Sequence, residues 1–258
     1  MTESPDASVV LRLRAAGCVF AEDEARLLAE AAGTPAELAG MVERRVAGLP
    51  LEQILGWAEF CGLRLQLDPG VFVPRRRTEF LVACAVPLVP AGGVVVDLCC
   101  GCGALGTALG TRLPGIEVHA ADVDPAAVAC ARRNLAPVGG QAYCGDLFEP
   151  LPAEVRGRVD VLVANVPYVP TDAIALLPPE ARDHEPRVAL DGGPDGLAVA
   201  RRVIAAAPGW LVTGGSLLFE TSESQAGTAV QLLRDAGFAP RIETDDEVGA
   251  TAAVGTRR

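Results

Sequence analysis

The sequence predicts an α/β protein. It has a doubly wound, mostly parallel sheet, a small helical domain before it and a β-hairpin linking the two. Three observations lead there. From residue 78 onward, short apolar runs alternate with segments of helical character, the pattern of a parallel sheet wound by helices. The glycines Gly101, Gly103 and Gly106 directly follow the apolar run at 94–98, where a strand would turn into a helix beside a ligand. The first 55 residues show neither feature and carry helix starts and stops instead.

Residues 9 to about 55 read as helical. Leu27 and Leu28 lie in an acidic, Ala-rich segment, and Thr34-Pro35-Ala36-Glu37 is a capping box with Pro at the first helical position. Gly48 and Pro50 end that helix. The expected organisation is a helical domain over 1–55, a hairpin over 56–73 and the α/β domain over 74–258. The helical domain would recognise a partner, shield a site or simply cap the larger domain. Residues 61–67 alternate, with Leu63, Leu65 and Leu67 on one face; Asp68-Pro69-Gly70 makes a turn and Val71-Phe72-Val73 resumes extended chain.

Thr78 is placed to cap a helix running to about Val86. Strands follow at 94–98, 117–121, 159–164 and 215–220, with a third parallel strand just before Gly145. Asp124-Pro125 starts a helix as cap plus Pro, and 225–236 is a helix stopped by Gly237. The segments 238–244 and 250–256 form an antiparallel pair.

Composition excludes several chemistries. The formal net charge is −11, the opposite of what a protein bound mainly to bulk nucleic acid needs. The chain has no lysine, so a Schiff-base Lys, a P-loop Lys and a Tyr/Lys dehydrogenase pair are excluded. Cys99 and Cys102 form a single CxxC, and His119 and His184 are far from it in sequence, so no four-ligand metal set is expected. Met1 to Ser8 is polar and acidic, and no apolar run is long enough to cross a membrane. The expectation is a cytoplasmic protein with its cysteines as thiols. Nothing in the sequence demands an oligomer.

The glycine loop frees backbone amides at a helix N-terminus to hold a ligand. Gly101, Gly103 and Gly106 alone would suit a nicotinamide cofactor equally well. Asp97 tilts the choice: a carboxylate there would repel a pyrophosphate, yet it can pair with the cationic methionine part of S-adenosyl-L-methionine. Asp122, at the end of the next strand, is placed to accept hydrogen bonds from both ribose hydroxyls. Asp146 is a candidate for the adenine amino group. Asn165-Val166-Pro167-Tyr168 follows the fourth parallel strand, where ligands bind. The Asn165 side-chain oxygen and a backbone carbonyl beside Pro167 could each accept one N–H of a planar amide, with Tyr168 stacked on it. Such transfer needs alignment more than a strong base. At this level a protein amide, a flipped nucleic-acid adenine, a small molecule and a non-catalytic cofactor-binding module all stay open.

These residues together resemble the HemK/PrmC family of protein-(glutamine-N5) methyltransferases. Leu51-Glu52-Gln53-Ile54-Leu55-Gly56, Phe60 to Leu67 and Asp68-Pro69-Gly70-Val71 are similar to that family's linker. Val73-Pro74-Arg75-Arg76-Arg77-Thr78-Glu79 resembles its "IPRPETE" segment. Glu185-Pro186-Arg187 and 189–197 resemble its "EP…ALDGG.DGL" stretch. The resemblance implies a Rossmann-like class I methyltransferase with a seven-stranded sheet and S-adenosyl-L-methionine as cofactor. It also implies a glutamine-bearing protein as substrate, a class-I release factor among the candidates. Carried over by position, Asp122 and Asp146 would hold the adenosine, and Gly101 and Gly103 would line the methionine end. Asn165, Pro167 and Tyr168 would hold the amide, with Asn165 also near the cofactor. The chain departs from the family at Val166 (Pro), Cys99 (Gly), and Arg76 and Arg77 (Pro and Glu).

Overall fold

The computed structural model describes residues 7–258; of the N-terminal segment read above, residues 1–6 lie outside the described residues. Four helices come first: α1 (Ala7–Ala15), α2 (Ala21–Ala31), α3 (Pro35–Val46) and α4 (Leu51–Leu55). Ala21, Ala25 and Leu28 follow the i, i+4, i+7 spacing of one helix face, and they close on Leu13, Val42 and Ile54 as a separate apolar core. At the start of α3 the Thr34 hydroxyl accepts the Glu37 amide at 3.2 Å. The reciprocal half of the expected box is displaced by one residue: the Glu37 carboxylate accepts Gly33 N–H at 2.7 Å.

The hairpin differs from expectation. Strands β1 (Trp57–Phe60) and β2 (Leu63–Gln66) pair antiparallel, so the hairpin turns at Cys61-Gly62; the chain also turns at Asp68-Pro69-Gly70, closed by Val71 N–H to Asp68 O at 3.2 Å, but that turn joins no strands. Both turn residues have positive φ, +53° and +75°, which twists the chain in the sense a two-residue hairpin requires. Cys61 is an unusual residue there, and the Glu79 carboxylate holds it by accepting its N–H at 2.9 Å. Val71 and Val73 are buried in the core without joining a strand.

Helix α5 (Glu79–Ala85) follows a 3-10 turn over Arg76–Thr78. Thr78 does not cap it. It already has helical dihedrals, and its hydroxyl donates to Glu220 at 2.5 Å instead.

The wound domain runs β3 (Val94–Leu98), α6 (Ala104–Arg112), β4 (Glu117–Asp122), α7 (Pro125–Leu135), β5 (Gln141–Cys144), β6 (Val159–Ala164), α8 (Pro179–His184), α9 (Ala198–Ala206), β7 (Leu211–Glu220), α10 (Glu223–Asp235), β8 (Phe238–Asp245) and β9 (Ala250–Arg257). The seven-stranded sheet has the order β5-β4-β3-β6-β7-β9-β8. Its first five strands are parallel, and β9 pairs antiparallel with both β7 and β8. Strand parity divides the core. Val95, Val161, Val163 and Leu218 pack with α5, α6 and α7; Val96, Leu98, Leu162 and Phe219 pack with α9 and α10. Each such side chain contributes about 1.5–3 kcal/mol of burial. The order reverses between β3 and β6, so their carboxyl ends part into a crevice, the ligand-binding place of open α/β sheets.

Candidate active site

A cavity of about 640 Å³ opens at those carboxyl ends, lined among others by Gly101, Asp122, Asp146, Asn165, Pro167 and Tyr168. Its size is that of a small-molecule site. The glycine loop starts at Cys99, held at φ +54°, and tightens through Gly103 N–H to Cys100 O at 2.8 Å. Gly101 has φ +53°, and a Cβ built on it would touch nothing within 4 Å. That backbone therefore faces open space where a ligand can approach.

Asp122 fixes this loop. One carboxylate oxygen accepts Gly101 N–H at 2.8 Å and the other accepts Asp124 N–H at 2.9 Å. Each oxygen keeps a second lone-pair site for a ligand hydroxyl. Burial pushes the Asp122 carboxyl up, opposed by those amides. Asp124 is the expected cap, accepting Ala126 N–H at 2.8 Å.

The loop after β6 forms the far wall. The Asn165 side chain lines the cavity and has no hydrogen-bond partner among the described residues. Val166 is buried in the core, so the missing proline ring is replaced by an aliphatic of similar bulk. Pro167 and Tyr168 are braced from behind by the stretch at 189–197. A Cβ on Gly192 would lie 2.7 Å from Pro167 O, and one on Gly196 would lie 2.2 Å from Tyr168 O. Only glycine permits that approach. Gly192 N–H donates to Val169 O at 2.9 Å, and the Gln225 amide donates to Tyr168 O at 3.0 Å.

Three comparisons with known proteins bear on this site. The family model "Methyltransferase small domain" matches residues 62–176. A release factor glutamine methyltransferase of Geobacter sulfurreducens is 40% identical over 228 residues, covering 86% of this chain and 79% of that one. One of Bifidobacterium longum is 35% identical over 267 residues, covering 96% and 90%. The chain belongs to the release factor glutamine methyltransferase family. A solved methyltransferase of Pyrococcus furiosus shares the fold, with TM-score 0.59 at 15% identity, over 83% of this chain and 98% of that one. The cofactor of this methyltransferase family is S-adenosyl-L-methionine. No helix among the described residues is long and apolar enough to cross a membrane.

Within this glutamine methyltransferase fold, two of the residues singled out from sequence stand apart from the cavity. Asp97 is fully buried against the first turn of α6, where Oδ2 accepts Gly106 N–H at 2.9 Å and Oδ1 has no partner. Burial foremost, with Asp122 adding, pushes its carboxyl up to about 7. Its strand parity, shared with Val95, turns it toward α6 and away from the cavity lining. Gly103 (φ +79°) is a packing residue: a Cβ there would lie 3.1 Å from Ala131 Cβ on α7.

Other residues of the methyltransferase site are placed by contacts between segments distant in sequence. Arg202 on α9 pairs with Asp146 Oδ2 at 2.5 Å. The Arg77 guanidinium donates from Nε to Glu220 Oε1 at 2.9 Å and from Nη2 to the Tyr168 hydroxyl. That hydroxyl in turn donates to Glu220 Oε1 at 2.9 Å. Glu185, noted only as part of a motif, is buried and joins two quoted segments. It accepts Val73 N–H at 3.2 Å and pairs with Arg75. Burial pushes the Cys99, Cys100 and Cys102 thiols up, so they remain protonated fillers of the loop.

Proposed function

We propose that this chain transfers the methyl group of S-adenosyl-L-methionine to the side-chain amide nitrogen of a protein glutamine, and that the acceptor protein is a class-I release factor. The observation that carries this reading is Asn165: a side-chain amide at the carboxyl end of β6, in the cavity wall beside Pro167 and Tyr168, with its hydrogen-bonding groups uncommitted.

The cofactor supplies an electrophilic methyl on a sulfonium. The chain's own residues bind and align. Asp122 offers its two remaining lone-pair sites to the ribose hydroxyls. Asp146, held by Arg202, presents its other oxygen to the adenine amino group, and the Gly101 backbone borders the methionine end. On the acceptor side, Asn165 Oδ1 accepts one N–H of the glutamine amide and a carbonyl beside Pro167 accepts the other. The nitrogen lone pair is thereby turned toward the methyl, the one N–H proton displaced on transfer passes to water, and the Tyr168 ring covers the amide plane. Such alignment supplies rate without a strong base. Tyr168 is no base, since burial and Glu220 push its phenol up to about 12.

Helices α1–α4 are assigned to acceptor recognition. Arg45 of α3, buried and paired with Glu24, also reaches Glu180 of α8 at 2.6 Å, and Glu180 lines the cavity. The free thiols suit the cytoplasm, the compartment this reading assigns.

The test is transfer of label from radiolabelled S-adenosyl-L-methionine to a purified class-I release factor and to its variant with Gln→Ala in the Gly-Gly-Gln motif. Label on the wild-type factor alone supports the reading. Equal label on both, or none on either with cofactor bound, overturns it.

A further inference from the structure

We infer that Arg77 is the positioning residue for Tyr168, and hence for the acceptor group lying against that ring. The inference rests on the acceptor reading above only in what the ring covers; the clamp itself is a property of this chain.

Arg77 lines the cavity wall beside Tyr168 and reaches Glu220. An acid at that position would face Glu220, and two carboxylates in contact repel unless one takes a proton. With arginine the three groups close into one ring. Arg77 Nε donates to Glu220 Oε1 at 2.9 Å, Arg77 Nη2 donates to the Tyr168 hydroxyl, and that hydroxyl donates to the same Glu220 oxygen at 2.9 Å. Thr78 fills the other oxygen of Glu220 at 2.5 Å. Each of these four contacts pairs one donor with one acceptor. The Glu220 side chain is nearly buried, while that of Arg77 is about half exposed in the cavity wall. The guanidinium carbon lies 5.9 Å from the Tyr168 ring centroid, so the cation also sits within reach of the ring face.

The backbone of Tyr168 is fixed from the other side by Gln225 and by the close approach of Gly196. A tyrosine side chain has two free torsions, and the hydroxyl at its far end is where a restraint removes most of its motion. The clamp does this with a planar fork of fixed geometry, which a lysine ammonium cannot reproduce. Nothing in the ring of contacts touches Asp122 or the glycine loop, so the effect belongs to the acceptor side of the cavity.

The chain has two tyrosines, Tyr143 and Tyr168, which makes the test clean. Protein carrying ring-13C-tyrosine is compared as wild type, Arg77→Ala and Arg77→Lys, with S-adenosyl-L-methionine bound. The two edges of the Tyr168 ring should give separate resonances in the wild type and merge in Arg77→Ala. Arg77→Lys should be intermediate and Tyr143 unchanged in all three. With release factor as acceptor, Arg77→Ala should lower kcat/KM by about 10–100-fold while cofactor affinity holds. In a Tyr168→Phe background the same substitution should cost about threefold or less, because its target hydroxyl is gone. Unchanged Tyr168 resonances in Arg77→Ala, or an equal loss with and without the Tyr168 hydroxyl, overturn the inference. If the wild type labels no release factor, the acceptor reading fails, and the ring resonances alone decide the role of Arg77.

Discussion

The Tyr168 hydroxyl donates to Glu220 Oε1 at 2.9 Å, tying the loop after β6 to the end of β7 across 52 residues of sequence. These are neighbouring parallel strands of the sheet, and the bond joins their carboxyl ends at the cavity wall. Strand order sets the crevice, and this contact helps to fix the wall around Tyr168.

Tyr168→Phe removes that donor while keeping the ring. A hydrogen bond to a charged group is worth about 1.5–3 kcal/mol, and Glu220 retains Arg77 and Thr78, so a loss at the lower end of that range is expected in urea unfolding. Because the phenol sits at about 12, the wild-type pH–rate profile should show no step from Tyr168 between about pH 7 and 9. A step there that vanishes in Tyr168→Phe would make the hydroxyl a proton-transfer group.

Asn165→Ala should leave cofactor affinity within a factor of about two and cut transfer by about 10²–10³-fold, the scale for losing one preorganised polar contact at a reacting group. Calorimetric cofactor titration and single-turnover transfer measure the two separately. Activity near wild type would remove Asn165 from its assigned role.

Asp122→Ala should weaken cofactor binding by about 3–6 kcal/mol, from two charge-assisted hydrogen bonds of about 1.5–3 kcal/mol each. It also releases Gly101 and Asp124 N–H, so the glycine loop should exchange its amide hydrogens faster than in the wild type. Unaltered affinity would exclude Asp122 from the cofactor site.

Asp97 gives a pH prediction with a definite sign. Its folded pKa is raised from 3.8 to about 7, so between those values the folded state holds a proton that the unfolded chain has lost. Stability contributed by this group is full below about pH 4 and lost as pH rises toward 7. Asp97→Asn should therefore gain on the wild type as pH increases, by a few degrees in Tm from about pH 5 to 8. Parallel curves would mean that Asp97 is ionised throughout in the folded protein.

Several elements are legible from local pattern, though Thr78 is no helix cap. The strands at 94–98 and 159–164 match β3 and β6, because short Val/Leu-rich runs, here each carrying a single Asp, suit buried parallel strands. The place of Asn165, Pro167 and Tyr168 followed from strand order. What escaped depends on pairing at long range. The turn at Cys61-Gly62 lacks the Asn-Gly signature and is secured by Glu79. The partners Arg77 and Glu220 are 143 residues apart, and no periodicity links them. The strand-end position of Asp97 suggests the cavity, whereas alternation with Val96 and Leu98 turns it toward α6. Gly103 follows the same rule: a glycine in a cofactor-like motif serves a helix–helix contact.

The most direct measurement is the chemical position of the methyl group. Release factor treated with this enzyme and S-adenosyl-L-methionine would be digested, and the modified peptide fragmented by mass spectrometry. The account predicts one methyl on the side-chain nitrogen of the Gly-Gly-Gln glutamine, absent when Asn165→Ala replaces the wild type. A methyl on a carboxylate, on another side chain or on nucleic acid carried with the factor would contradict it.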